Sequence, residues 1–214
     1  MSLFLDSASI EDARQASGLG FVRGATTNPS LLLKAGHRDA AIALKQLCEL
    51  LPGPVFYQLT GHTLEAMRLE AERFMALAPN LGLKIMCTQV GLAFAAEIAP
   101  KVTVAVTGVF NPAQAYLAAQ AGAHYVIPYV NRITRFTGDG PHLLVMMAEI
   151  LAPTETEILA AGIKSAAEAV ECLLAGADHI SLPLAVIEAM AEDTLTQQAS
   201  ADFDLAATQM QGEK

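Results

Sequence analysis

Charge is the first thing this sequence lacks. Only 16% of its 214 residues are charged, and 13 Lys and Arg stand against 22 Asp and Glu, a formal charge of −9 with a pI near 4.9. So few cations leave no surface suited to nucleic acid or an anionic membrane. Long apolar runs are missing too: none reaches the ~18 residues that would suggest a bilayer span. The opening Met1-Ser2-Leu3-Phe4-Leu5 carries no basic stretch ahead of an apolar one, so no secretory leader is expected. Cysteine is sparse. Cys48, Cys87 and Cys172 are far apart and never form Cys-x-x-Cys, as expected of buried free thiols in a reducing compartment. His37, His62, His124, His142 and His179 show neither HExxH nor a ligand-like cluster, so no metal site is expected. Asn28-Pro29-Ser30 is barred from glycosylation by its proline. No Gly-x-Gly-x-x-Gly follows a strand pattern, and no cofactor is expected.

Apolar residues are what the chain has in quantity: 53% of positions, with a mean hydropathy of +0.38. That excludes disorder and predicts a core-rich, cytoplasmic globular protein of one domain, residues 1–214. Short β-branched or apolar runs fall at 3–7, 22–28, 55–60, 82–88, 102–109, 125–130, 157–164 and 179–183. Helix-like stretches rich in Ala, Leu, Glu and Gln lie between them, as at 63–77, 113–121, 142–151 and 165–175. Thr63 and Ser165 stand where N-caps belong, and Gly122 and Gly176 where helices end. Ala121-Gly122-Ala123-His124-Tyr125-Val126 echoes Ala175-Gly176-Ala177-Asp178-His179-Ile180, the trace consecutive βα units would leave. Eight strand patterns, each with a helix after it, predict an α/β fold, a single (β/α)8 TIM barrel over about 1–190. Residues 194–214, with apolar Phe203, Leu205, Ala206 and Met210, predict an added C-terminal helix that docks on a neighbouring subunit.

In such a barrel the inward side chains at the C-terminal strand ends form the active site. Asp6, Thr26-Thr27-Asn28, Gln58, Thr107, Tyr129 and Asn131-Arg132 all fall there, and Lys84 lies inside the apolar run Leu81-Gly82-Leu83-Lys84-Ile85. A lysine buried in a strand is costly to desolvate, so its neutral amine is favoured, and that amine attacks carbonyls to form a Schiff base. An edge-strand lysine, or one snorkelling to solvent, fits the same pattern. Lys164, at another strand end, is the rival. Asp6 and Asn28 read equally as caps of the helices after them, and Gln58 and Tyr129 as satisfied core polar groups.

Four blocks in order, Leu3-Phe4-Leu5-Asp6-Ser7, Gly24-Ala25-Thr26-Thr27-Asn28-Pro29-Ser30, Lys84 with Thr88 and Gly91-Leu92, and Tyr129-Val130-Asn131-Arg132-Ile133, resemble the fructose-6-phosphate aldolase and small transaldolase family, class I enzymes that work through a Schiff base. The resemblance implies that Lys84 forms the iminium with a ketose donor and that Asp6 handles the hydroxyl proton as the carbon–carbon bond breaks. It implies that Thr27 and Asn28 bind the donor, that Gln58, Thr107 and Tyr129 hold a catalytic water, and that Arg132 binds a substrate phosphate. It also implies a small sugar or sugar-phosphate substrate and a homo-oligomer, commonly a decamer of pentamers.

Family transaldolases carry Glu where Gln58 stands and Phe where Tyr129 stands, so the resemblance is to the aldolase side. Cleavage of a ketose to dihydroxyacetone and an aldehyde such as glyceraldehyde 3-phosphate is expected; transfer of the dihydroxyacetone unit to an aldose, as in the pentose phosphate pathway, is the alternative. Three positions depart from the family. Met86 replaces the proline of Lys-x-Pro-x-Thr, Ile127 replaces a small residue and narrows the donor pocket, and Gly162 replaces a phosphate-binding serine, with Arg135 and Lys164 near enough in sequence to compensate. A phosphate-binding isomerase barrel would want glycine-rich loops after strands seven and eight, which Ala161-Gly162-Ile163-Lys164 and Ser181-Leu182-Pro183 supply poorly. A barrel without catalysis, serving only binding or assembly, is opposed by Asp6, Asn28, Lys84 and Gln58 occurring together.

Overall fold

The computed structural model describes residues 1–212. Among these, eight parallel strands close on one another in chain order: β1 (Ser2–Asp6), β2 (Val22–Thr26), β3 (Val55–Gln58), β4 (Leu81–Met86), β5 (Val104–Val109), β6 (Tyr125–Pro128), β7 (Glu157–Ala160) and β8 (His179–Leu182), with β8 returning to β1. The helices between them are α1 (Ile10–Gly18), α2 (Pro29–Lys34), α3 (Ala40–Leu50), α4 (Leu64–Met75), α5 (Gln89–Ile98), α6 (Pro112–Gln120), α7 (Val130–Thr137), α8 (Gly140–Leu151), α9 (Ala166–Leu174) and α10 (Leu184–Ala189). The predicted (β/α)8 barrel is the fold, and the predicted C-terminal helix is α11 (Thr194–Gly212). Residues 213 and 214 of that predicted tail lie outside the described residues.

Helix starts are written in side chains. Ser9, Asn28, Asp39, Thr63, Thr88, Asn111, Asp139 and Ser165 each accept a backbone N–H of the first turn, satisfying donors that the helix itself leaves free. Asn28 is thus the cap that its position suggested, whereas Asp6 is not a cap at all.

Strand alternation divides the apolar residues into two cores. Outward-facing residues such as Leu5, Leu83, Ile85 and Val106 pack against the helices. Inward-facing Phe4, Phe56, Ala105, Ile127 and Leu159 fill the barrel itself. The two phenylalanines fit because the neighbouring strands carry glycine on the same face. A Cβ on Gly24 would come within 2.9 Å of the Phe4 ring, and one on Gly82 within 2.7 Å of the Phe56 ring. Below them, toward the N-terminal strand ends, Tyr125 and His179 meet edge to face at 5.5 Å, and His179 Nε2 lies 3.0 Å from Glu157 Oε2. No described helix is long and apolar enough to cross a membrane.

Candidate active site

Above the phenylalanine layer the inward residues turn polar. Lys84 is the central one: it sits mid-strand in β4, between β3 and β5, and only 2% of it is exposed. It is therefore neither on an edge nor snorkelling. Burial pushes its pKa down to about 8, against the Asp6 carboxylate, which favours the ammonium. Near neutral pH about a tenth of such a lysine carries the free amine, far more than an exposed one.

Asp6 ends β1 and is held by a relay from two other strands. Thr26 Oγ1 donates to Asp6 Oδ1 at 2.7 Å. The Thr26 hydroxyl proton being spent there, Ser181 Oγ, also 2.7 Å away, donates to Thr26. Serine, threonine and aspartate from β8, β2 and β1 thus fix one carboxylate. The sequence reading weighs Ser181 only as part of a poor phosphate loop and misses this role. The signal was present, since in His179-Ile180-Ser181-Leu182 it shares the inward face with His179.

On the other side of Lys84, Thr107 Oγ1 donates to Tyr129 OH at 2.9 Å, leaving the phenol's own proton for another acceptor. Burial raises the Tyr129 pKa and Asp6 adds to that, while the Thr107 bond and Arg132 pull it back. The phenol stays a donor at neutral pH. Arg132 lies over the Tyr129 ring, 5.3 Å from its centre, and Phe110 meets the same ring edge-on at 5.8 Å. Gln58, paired in register with Lys84, donates Nε2–H to Met86 Sδ at 3.6 Å, and its Oε1 is buried without a partner.

The remaining candidates are placed less centrally. The Thr27 hydroxyl donates to the Phe56 carbonyl at 2.8 Å, so this fully buried residue ties β2 to β3. Ile127 is fully buried among Phe4, Phe56, Ala105 and Leu159, in the floor of the site. Gly162 adopts φ +75°, left-handed backbone that favours glycine, so its missing side chain goes with the shape of the turn. A Cβ there would lie 3.8 Å from Tyr129 Cα, which puts this loop beside the Tyr129 backbone. The Lys164 side chain is exposed, and its backbone N–H donates to Glu168 at 2.8 Å. Glu168 also accepts from Asn131 Nδ2 at 2.9 Å, so one carboxylate joins the start of α7 to the loop after β7. Glu70 does the same beyond Gln58: it accepts from Tyr57 OH at 2.7 Å and from the Gly61 N–H at 2.9 Å. Neither glutamate was legible as a loop clamp, because each partner set comes from more than one element.

A second recess of about 390 Å³ opens at the opposite, N-terminal end between Pro54, Thr103, His124, Tyr125 and Glu157. The Phe4 and Phe56 layer stands between it and Lys84, and that end of such barrels carries stability rather than chemistry.

Solved structures similar in shape include inosine 5′-monophosphate dehydrogenase from Legionella pneumophila, with a TM-score of 0.60 at 16% identity over 87% of this chain and 58% of that one. A flavocytochrome b2 mutant aligns with a TM-score of 0.60 at 13% identity, covering 86% of this chain and 56% of that one. This chain spans somewhat over half of each, and at such identity the likeness concerns the barrel fold alone. Sequence relatives are much nearer. A probable transaldolase of Paracoccus denitrificans is 37% identical over 207 residues, 95% of each chain. One of Parabacteroides distasonis is 35% identical over 209 residues, and one of Exiguobacterium sibiricum 37% over 207, each covering 95% of this chain and 96% of its own. The family model described as transaldolase/fructose-6-phosphate aldolase matches residues 3–214. With a (β/α)8 barrel, a buried lysine facing its C-terminal mouth and these relatives over nearly the whole length, the chain belongs to the transaldolase/fructose-6-phosphate aldolase family of enzymes.

Proposed function

We propose that the protein is a class I aldolase of the fructose-6-phosphate aldolase type, cleaving a ketose or ketose phosphate to dihydroxyacetone and an aldehyde. The observation that carries this reading is Lys84, 2% exposed on an inward strand face, with its pKa brought down to about 8 by burial. In this mechanism the Lys84 amine adds to the C2 carbonyl and the carbinolamine loses water to give the iminium. Asp6 takes the C4 hydroxyl proton, the C3–C4 bond breaks, and the aldehyde leaves while the electron pair moves into the enamine. A water held near Gln58, Thr107 and Tyr129 gives C3 a proton, and the proton on Asp6 makes good the loss. Hydrolysis of the new iminium frees dihydroxyacetone and Lys84. Asn28 faces the donor, and Arg132 with Lys164 and the Gly162 N–H meets the far, phosphate-bearing end.

Borohydride trapping with fructose 6-phosphate, followed by peptide mass mapping, tests the reading. A reduced three-carbon adduct is expected on Lys84, with labelling half-maximal near pH 8. Labelling rises with pH because only the neutral amine reacts, and a depressed pKa moves that rise down from the usual lysine range. No adduct on Lys84 with either this sugar or dihydroxyacetone contradicts it.

Transaldolase activity is the second reading. It is favoured by the names of the three relatives above, each a probable transaldolase. A requirement for an added aldose acceptor separates the two.

We also infer a homo-oligomer from α11. Its residues 194–210 are exposed throughout, with Phe203 73% and Met210 80% accessible. A lone helix of that length is marginal in water and needs a packing partner. Truncation after Asp193 is expected to dissociate the assembly, read by light scattering; an unchanged mass contradicts this.

A further inference from the structure

Met86 is unusual company for the lysine at the centre of the barrel. It shares the inward face of β4 with Lys84, two residues on, and is 37% exposed at the mouth. Its thioether is held from both sides. Sδ accepts Gln58 Nε2–H at 3.6 Å, an ordinary length for a sulfur acceptor. On the other side its methyl lies over Gly108, a residue at φ +70° where an added Cβ would come within 2.6 Å of Met86 Cε and 3.5 Å of Sδ. The same Cβ would sit 4.0 Å from Phe110 Cε2, so Met86 and Phe110 meet over a bare stretch of β5 backbone. Methionine is flexible by nature, but here the glycine gives its end one place to lie.

The consequence falls on Gln58. A free carboxamide at a strand end can point either polar end inward, and nothing else among its bonds decides which. With Nε2 committed to sulfur, Oε1 is left as the free acceptor, buried and without a protein partner. Tyr129 meanwhile receives the Thr107 proton and keeps its own to donate. An acceptor from β3 and a donor from the end of β6 are the pair that would hold a water by both its lone pair and its hydrogen. We propose that Met86 is a positioning residue whose thioether orients Gln58, so that Oε1 faces the reacting carbon and serves the enamine protonation step. This rests on the proposed Schiff-base reading for its catalytic meaning; the orientation itself does not.

The test uses the full-length chain, wild type, M86L and M86Q. Leucine keeps bulk and apolarity but accepts no hydrogen bond, whereas glutamine restores an acceptor through its carbonyl. Two measurements are made on each. The first is the partition of the dihydroxyacetone unit between release and transfer to an added aldose. Release relative to transfer is expected to fall about three- to tenfold in M86L, the size of one lost hydrogen bond. It is expected to recover in M86Q, while the borohydride-trapped Lys84 adduct forms in all three. The partition is internal to each variant, so a loss of folded protein does not move it. The second is the neutron crystal structure of M86L beside that of wild type, which tells carboxamide N from O and in which the Gln58 carboxamide is expected to turn. A Gln58 unmoved in M86L, or a partition equal to wild type, overturns the proposal. A Gln58 that turns in a protein whose Lys84 never labels supports the positioning role and sinks the Schiff-base reading alone.

Discussion

Replacing Lys84 by methionine is expected to lower ketose cleavage roughly 10⁴-fold or more, the scale on which enzymes lose their covalent nucleophile. Methionine has nearly the same length and removes the amine without leaving a cavity. It also removes a cost, because an ammonium in an apolar strand is destabilising wherever it is charged. The variant is therefore expected to melt no lower than wild type while failing to trap any ketose. Activity and stability measured side by side check both halves. A K84M protein that still cleaves, with a trapped adduct on Lys164, would assign the chemistry to the rival lysine. The geometry makes that outcome hard to reach, since the Lys164 side chain is exposed and sits beyond β7 rather than within it.

Asp6→Asn is expected to have the second-largest effect, roughly 10²–10⁴-fold on cleavage, the usual contribution of a positioned proton acceptor. The substitution is mild in shape. Asparagine Oδ1 can still accept from Thr26, so the relay from Ser181 stays in place. What disappears is the negative charge, and with it the pull that holds the Lys84 pKa up against burial. Loss of a nearby anion disfavours the ammonium, so the lysine pKa falls further below about 8. Two changes of opposite sense follow in one protein. Labelling of Lys84 by dihydroxyacetone becomes half-maximal at a lower pH, while cleavage of the full ketose collapses. A D6N enzyme with wild-type cleavage, or with its labelling profile unmoved, contradicts the proposed role.

Much of this arrangement was readable before any coordinates. The alternation of short apolar runs with alanine-rich stretches marks the eight strands and the barrel, and Asp6, Gln58 and Thr107 lie with Lys84 on the inward faces of their strands. The strand patterns overran where capping residues follow. Residues 22–28 read as one run, yet β2 stops at Thr26, because Asn28 keeps an extended backbone, φ −159° and ψ 168°, while starting α2. Propensity cannot separate an extended cap from the last residue of a strand. Thr27 has a bond that the sequence does not reveal. Its hydroxyl is occupied by the Phe56 carbonyl, a partner that exists only once β2 lies beside β3. Ser181 is 155 positions from Thr26, and barrel closure between β8 and β1 brings them together. Met86 read as a lost proline, whereas its bond to Gln58 and its seat on Gly108 need three adjacent strands.

The phenylalanine layer has a consequence for traffic. Phe4 and Phe56, seated over Gly24 and Gly82 and closed in by Ile127 and Leu159, leave the barrel with a solid floor. Whatever reaches Lys84 arrives through the mouth and departs by the same opening, past Met86, Phe110 and Arg132. In the proposed reaction the departing aldehyde and the water or acceptor that follows it therefore share one route, which ties the order of their traffic to the architecture as well as to their affinities.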